Sequence, residues 1–297
     1  MKMTHLFLVL LVILIWGINF VFVKLGIQEI PPLLLCAVRF FLASIPAIFF
    51  IKRPAVPFRL VAAYGLVMFA LQFTCVFTGI HAGMSPGMAS VIMQVQVFFS
   101  ILFGMFIFGE RPSLWQMVGA LISFFGIALI GFHIDAHMPL LGFLLILGAA
   151  ASWGVGNLIV KKSTRINMMA LVVWGSFVAS FPLLLLSLIF EGPAKIIFTY
   201  HHVSWVGITA LLYIVYLSTW VGYGLWNWLL SRYPISTVVP FTLLIPIVGM
   251  GGSALVLGES LDAWKLEAGL LVIGGLCINL LGARLFMTKQ KEVMTET

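Results

Sequence analysis

Trp16-Gly17-Ile18-Asn19-Phe20-Val21-Phe22-Val23-Lys24 reads by itself as the end of an apolar helix. It returns in altered form as Trp153-Gly154-Val155-Gly156-Asn157-Leu158-Ile159-Val160-Lys161. Both copies open on Trp-Gly, carry an Asn soon after and close on Lys. The offset, 153 − 16 = 137 residues, is nearly half of the 297-residue chain. A second set of echoes follows. Gly109-Glu110 and Trp115 recur as Gly258-Glu259 and Trp264, and Gly126 as Gly275, all 258 − 109 = 149 residues apart. The offset grows because the second half carries a longer break near 191–202. The chain is therefore a duplication, and its halves are to be read against each other.

Composition fixes the solvent. Of the residues, 62% are hydrophobic and 8% charged, where a soluble domain carries about a quarter charged. So apolar a chain is at home in lipid. The net charge of +7 does not form one basic face. Lys and Arg sit in short breaks between apolar runs, which sets nucleic acid aside. Cys36, Cys75 and Cys277 all fall inside apolar runs, are odd in number and lack metal-site spacing. They read as free packing thiols, and no cofactor or metal is implied. Lys2 followed by an apolar run resembles a signal peptide. The run continues to Val23 without a small-residue cleavage site, which predicts a retained first helix.

A spanning helix needs about 20 apolar residues. Ten such runs are present, at about 5–25, 32–51, 58–80, 86–108, 114–132, 138–160, 168–190, 203–230, 234–257 and 263–285. Pro32, Pro86, Pro112, Pro139 and Pro234 fall at or near starts, where a missing N–H costs nothing. With the N-terminus inside, the inner loops and tails hold Lys2, Lys52, Arg53, Arg59, Arg111, Lys161, Lys162, Arg165, Arg232, Arg284, Lys289 and Lys291. The outer edges hold only Lys24, Lys195 and Lys265, and Arg39 lies within a run. This bias predicts two cytoplasmic termini.

The fold class expected is all-α integral membrane, ten transmembrane helices as two repeats, 5–132 and 138–285, with 286–297 a cytoplasmic tail. Five is odd, so the second repeat enters the membrane inverted. Inverted repeats are a transporter architecture, with substrate bound near the midplane between the halves.

On these residues the chain resembles the EamA-type members of the drug/metabolite transporter superfamily. The matching features are Trp16-Gly17-Ile18-Asn19 with Lys24, Arg39-Phe40, Gly109-Glu110, Val221-Gly222-Tyr223-Gly224-Leu225-Trp226-Asn227 running to Arg232-Tyr233, and Gly258-Glu259. The resemblance covers essentially the whole chain and extends to bacterial exporters of amino acids and their metabolites. It implies a multi-pass protein of the bacterial inner membrane and a central cavity lined by spans 1, 3, 4, 6, 8 and 9. The family handles amino acids, metabolites, purines, sugars and drugs, so the motifs identify the fold better than the cargo. Import of a scavenged metabolite and drug efflux are the rival transport readings. A small-molecule substrate and the bilayer are the implied partners; proton coupling and a monomer or homodimer are compatible with the resemblance.

Transport needs polar and aromatic side chains facing a cavity. Trp16 and Asn19, three apart, share a helix face, as do Trp153 and Asn157, four apart. An amide in lipid needs a partner, so each Asn meets either substrate or a neighbouring helix. Tyr216, Trp220, Tyr223 and Asn227, at spacings of four, three and four, predict a stripe along one side of span 8; an interfacial aromatic belt is the alternative. Gln72 lies deep in span 3. Gln94 and Gln96 are two apart and point apart, and the row Ser90, Gln94, Val97 favours Gln94 for the cavity. Gly249, Gly251 and Gly252 in span 9 suit close packing or a hinge. Arg39, an ionisable residue inside a span, is a functional candidate by default. It either meets a substrate carboxylate with its planar fork, or snorkels outward or bonds loose carbonyls at a neighbouring helix end.

No Asp or Glu falls mid-span, so the usual carrier for proton coupling is missing and facilitated diffusion stays open. No Walker loop or His-Glu metal motif occurs. An intramembrane enzyme would need a clustered catalytic set, which the sequence lacks, and a scaffold would not need duplicated polar faces.

Overall fold

The computed structural model describes residues 2–134, 139–161, 167–233 and 238–295. They form an all-helical membrane protein. Nine helices long and apolar enough to cross a bilayer occur among the described residues, with a tenth, shorter apolar helix. In order, span 1 is Met3–Glu29, span 2 Pro32–Phe49, span 3 Phe58–His81, span 4 Pro86–Phe108 and span 5 Leu114–Phe132. The second half supplies span 6 Leu140–Val160, span 7 Met168–Phe190, span 8 Trp205–Trp226, span 9 Phe241–Leu257 and span 10 Ala263–Leu280.

Local chemistry sets the ends. Pro32 and Pro86 occupy first helical positions, where a missing N–H is harmless. Ser113 and Gln116 form a reciprocal capping box at the start of span 5. Spans 4 and 9 both stop on a left-handed glycine, Gly109 at φ 66° and Gly258 at φ 69°. A side chain there would be strained, so the repeated Gly-Glu is a repeated helix stop.

The packing obeys the inverted symmetry. Span 5 packs on span 10, and span 2 on span 7, each pairing an element with its own repeat partner. Span 1 packs on span 9 as span 6 packs on span 4, and span 1 on span 8 as span 6 on span 3. Single glycines repeat the pattern. Gly17 faces Val248, and Gly154 faces Phe99; these partners are 248 − 99 = 149 residues apart. A Cβ on either glycine would clash, so both seams depend on close backbone approach.

The irregular turns are also paired. Span 3 carries a π-helical stretch at Gly65–Leu71 and span 8 one at Tyr213–Gly222. Span 4 tightens to a 3₁₀ turn at Met93–Val95, and span 9 opens with one at Val239–Leu244. Such turns cluster at functional sites and hinges. The long break expected near 191–202 is not a plain loop. After Gly192 at φ 81°, residues Pro193–His202 form a further helix started by Pro193.

Candidate functional site

Arg39 projects from span 2 into the interior and is only 2% exposed. Snorkelling is therefore not the state of this side chain. Its Nη2 donates to Thr219 Oγ1 at 3.4 Å, and Thr219 in turn donates to the Ile214 carbonyl at 3.0 Å within the π stretch of span 8. The guanidinium carbon lies 4.1 Å from the ring centre of Phe73, 5.1 Å from Phe40 and 5.8 Å from Phe77. Ring faces attract a cation, but they do not satisfy its N–H groups. Nε and Nη1 are buried without a hydrogen-bond partner. Buried donors are nearly always paired, and a desolvated charge more so.

Around this cation the walls are aromatic. Tyr223 lies within electrostatic reach of both Arg39 and Tyr64, and its ring is 5.5 Å from that of Trp16. Trp16 also lies 5.3 Å from Trp226 and donates its indole N–H to the Ser218 carbonyl at 3.1 Å. Gly222 leaves the room in which that indole sits. Unpartnered buried oxygens occur on the neighbouring helices: Asn19 Oδ1 on span 1, and Gln72 Oε1 and Thr74 Oγ1 on span 3.

The equivalent polar group of the second repeat is partnered. Asn157 donates to Gln96 Oε1 at 3.2 Å and to Ser100 Oγ at 3.0 Å, tying span 6 to span 4. Beside it, Ser152 donates to the Val67 carbonyl at 2.7 Å, and Trp153 packs half-buried against the main core.

Two expectations are corrected. Gln94 is the brace rather than the freer amide. Its Nε2 donates to the Thr242 carbonyl at 3.0 Å, joining the two 3₁₀ segments, while Gln96 is the residue that meets Asn157. The tightened turn at Met93–Val95 alters the phase assumed from a regular helix. The stripe on span 8 also splits. Tyr216 and Trp220 line an apolar groove of about 290 Å³ with Leu42, Pro46, Ala47, Phe50 and Ile51, whereas Tyr223 turns toward Trp16 and Arg39. The π stretch Tyr213–Gly222 has more residues per turn than an α-helix, so Tyr216 and Trp220, four apart, still share a face, while Tyr223, three beyond Trp220, does not. The side chain of Asn227 lies outside the described residues.

Sequence reading missed Thr219 and the cation's ring partners Phe73 and Phe77, because nothing in the sequence says which helix opposes Arg39. It also missed Glu191 and Glu29 at one end of the bundle, whereas for Glu259 it predicts a brace to the following loop or a neighbouring helix. Glu191, closing span 7, accepts from Leu33 N at 2.7 Å and Leu34 N at 2.9 Å at the start of span 2, and from Ser187 Oγ at 2.7 Å. Glu29, closing span 1, accepts from Ser204 N at 2.8 Å and Ser204 Oγ at 2.6 Å at the start of span 8. Glu259 accepts from the Ser85 hydroxyl and the Gly87 N–H at the start of span 4. Each carboxylate meets a helix N-terminus, where dipole and free N–H groups favour negative charge. Apart from the local Ser187 bond, each of these bonds also crosses from one repeat to the other. Burial raises the Glu259 carboxyl above its ordinary value, against the lowering effect of Ser85, Gly87, Lys265 and Lys24. Asp262 is held lower by Lys265 and Ser260.

Known proteins resemble this chain over most of its length. A model of the EamA-like transporter family matches residues 3–132 and again 140–281. The chain is 41% identical over 283 residues to a "probable amino-acid metabolite efflux pump" of Escherichia coli K12, covering 93% of this chain and 95% of that one. A protein of the same description from Salmonella typhimurium is 41% identical over 288 residues, covering 95% and 96%. A solved crystal structure shares the fold with a TM-score of 0.62 at 17% identity, covering 96% of this chain and 98% of that chain.

Proposed function

This chain belongs to the EamA-like transporter family, and we propose that it exports a small amino acid or amino-acid metabolite across the inner membrane by alternating access. The observation that carries the reading is Arg39, a fully buried cation with two unpartnered donor positions. A guanidinium fork accepts a carboxylate in two parallel charge-assisted bonds. Such a ligand supplies what the protein leaves unmade, at the depth where inverted-repeat transporters hold their substrates. The 41% identity to efflux pumps supports the export direction and the cargo class.

Trp16 and Tyr223 supply rigid aromatic walls beside the cation, with Gln72 and Asn19 offering acceptor oxygens. Trp153 and Asn157 belong to the seam of span 6 on span 4, and Gln94 to the seam that joins span 4 to span 9. Trp220 faces the apolar groove. The paired π and 3₁₀ turns are the places where spans 3, 8, 4 and 9 flex as the repeats rock. Both termini lie on the cytoplasmic side, on the strength of twelve basic residues against three.

The decisive experiment is a metabolite screen on vesicles reconstituted with the purified protein. We expect uptake of a carboxylate-bearing metabolite, lost in Arg39→Gln. A profile confined to cations or neutral sugars overturns the reading.

A further inference from the structure

We propose that the helix Pro193–His202 is an interfacial strap: it docks on the lipid headgroup layer while both its ends are clamped to the hairpin of spans 1 and 2.

The helix belongs to the second repeat alone. The repeat offset grows from 137 to 149 between the early and late echoes, and the extra residues are those of this segment. It is therefore not part of the duplicated machinery. Its chain ends are the termini of two membrane spans, Phe190 and Trp205, which are 74% and 81% exposed. The helix is thereby held at the level of the bilayer edge.

Its faces are segregated. Ile196, Thr199 and Val203 recur at helical spacing and are the less exposed positions, so they mark the side laid on the protein. Ile197, Phe198 and Tyr200 stay 60%, 61% and 80% exposed. At about 3.6 residues per turn, Pro193, Ile197 and Tyr200 fall on one flank. Lys195, Phe198 and His202 fall on the other, and His201 lies between the two. Phe198 stacks on His202 with ring centres 4.0 Å apart. One exposed flank without a basic residue, beside one that carries Lys195 and His202, on a helix joining two span ends, is the pattern of helices that lie in the interface. Tyr200 and Trp205 have the amphipathic rings that favour headgroup depth. The basic flank suits lipid phosphate.

The two clamps are the carboxylate bonds at either end of the strap. Glu191, two residues before Pro193, holds the start of span 2 through Leu33 N and Leu34 N. Ser204, two residues after His202, is held by Glu29 at the end of span 1. Glu29 and Leu33 are the two sides of one short turn. The strap thus crosses this turn and fastens spans 7 and 8 to spans 1 and 2 at that face.

The test uses the full-length protein in phospholipid vesicles, with a nitroxide placed at Ile197→Cys in one sample and at Lys195→Cys in another. Collisions with oxygen, which concentrates in lipid, are compared with collisions with a water-soluble nickel chelate. The Ile197 site is expected to favour oxygen several-fold more than the Lys195 site. Equal, chelate-dominated accessibility at both sites overturns lipid docking. As a second check, Glu191→Ala with Glu29→Ala, which removes the acceptors, is expected to raise spin-label mobility at Tyr200→Cys. Unchanged mobility overturns the clamp.

Discussion

Ser123 donates its hydroxyl to the carbonyl of Val272 at 3.0 Å, and the two residues stand 149 positions apart. That is the repeat offset itself, so this bond joins a position of span 5 to its own counterpart in span 10, where the pseudo-twofold axis passes between them. Backbones approach closely at this seam. A Cβ on Gly119 would meet the Gly275 carbonyl, and one on Gly275 would meet the Gly119 carbonyl and the Ser123 hydroxyl.

The neighbouring pair Gly274 and Gly275 separates packing from helix propensity. Nothing lies within 4 Å of a Cβ on Gly274. Gly274→Ala is expected to leave thermal stability unchanged or raise it, by up to about 1 kcal/mol from propensity alone. Gly275→Ala meets fixed backbone and is expected to cost about 1–3 kcal/mol by overpacking. Thermal unfolding in detergent reads both; equal behaviour of the two variants contradicts the seam.

Arg39 predicts a divergence of stability and transport. Replacing a buried charge by an apolar side chain of similar volume is often neutral or stabilising, by about 1–4 kcal/mol. Arg39→Met is therefore expected to keep or raise the unfolding temperature while transport falls at least about tenfold, the worth of one lost charge-assisted contact. Arg39→Lys keeps the charge without the fork and is expected to remain impaired. Loss of stability with normal transport per molecule would assign Arg39 to structure alone.

Asn157 and Trp153 test the opposite seam. Hydrogen bonds between membrane helices average about 0.6 kcal/mol, so removing the Asn157 bonds to Gln96 and Ser100 leaves abundance intact. We expect Asn157→Ala and Trp153→Ala to lower transport at wild-type membrane levels, measured by quantitative blotting beside uptake. A parallel fall in abundance identifies both as packing residues.

Much of this fold was legible because duplication writes itself twice. Trp16 against Trp153 and Gly109 against Gly258 gave the halves, and the odd span count gave their inversion. Arg39 stood out as a charge in an apolar run, but the sequence left its burial open against outward snorkelling. Facing was not legible. The α-helical period grouped Tyr223 with Tyr216 and Trp220, which the π stretch of span 8 separates, and it misassigned Gln94 because a 3₁₀ turn begins one residue earlier. Glu191 read as part of a loop, since its partners, the Leu33 and Leu34 N–H groups, are backbone atoms 158 and 157 residues away with no sequence signature.

Glu259 carries a pH prediction. Burial raises its carboxyl above the ordinary value of 4.5, so between that value and the raised one the folded protein holds more protons than the unfolded chain. By linkage its contribution then falls as pH rises through this window, and ionised Glu259 is destabilising at neutral pH. Glu259→Gln keeps an acceptor for Ser85 and Gly87 without the charge. It is expected to unfold at higher temperature than the parent at pH 7, with the gap closing below pH 4.5. A gap that widens in acid reverses the sign and refutes the argument.

The placement of the acids also bears on energy coupling. Glu29, Glu191 and Glu259 all sit at span ends, engaged with the first residues of helices from the other repeat. None is mid-span, where a carboxylate would carry protons through the bilayer. Their bonds join the repeats at one face, and under the rocking of the halves proposed above, breaking and remaking them accompanies that motion and not proton passage. Transport is accordingly expected to run down the cargo gradient alone. Vesicles loaded with the metabolite, with the proton gradient collapsed by an ionophore, should release it at close to the rate seen with the gradient intact. Arrest on collapse, restored by an imposed proton gradient, would require one of these end carboxylates to leave its helix terminus and cross with the moving half.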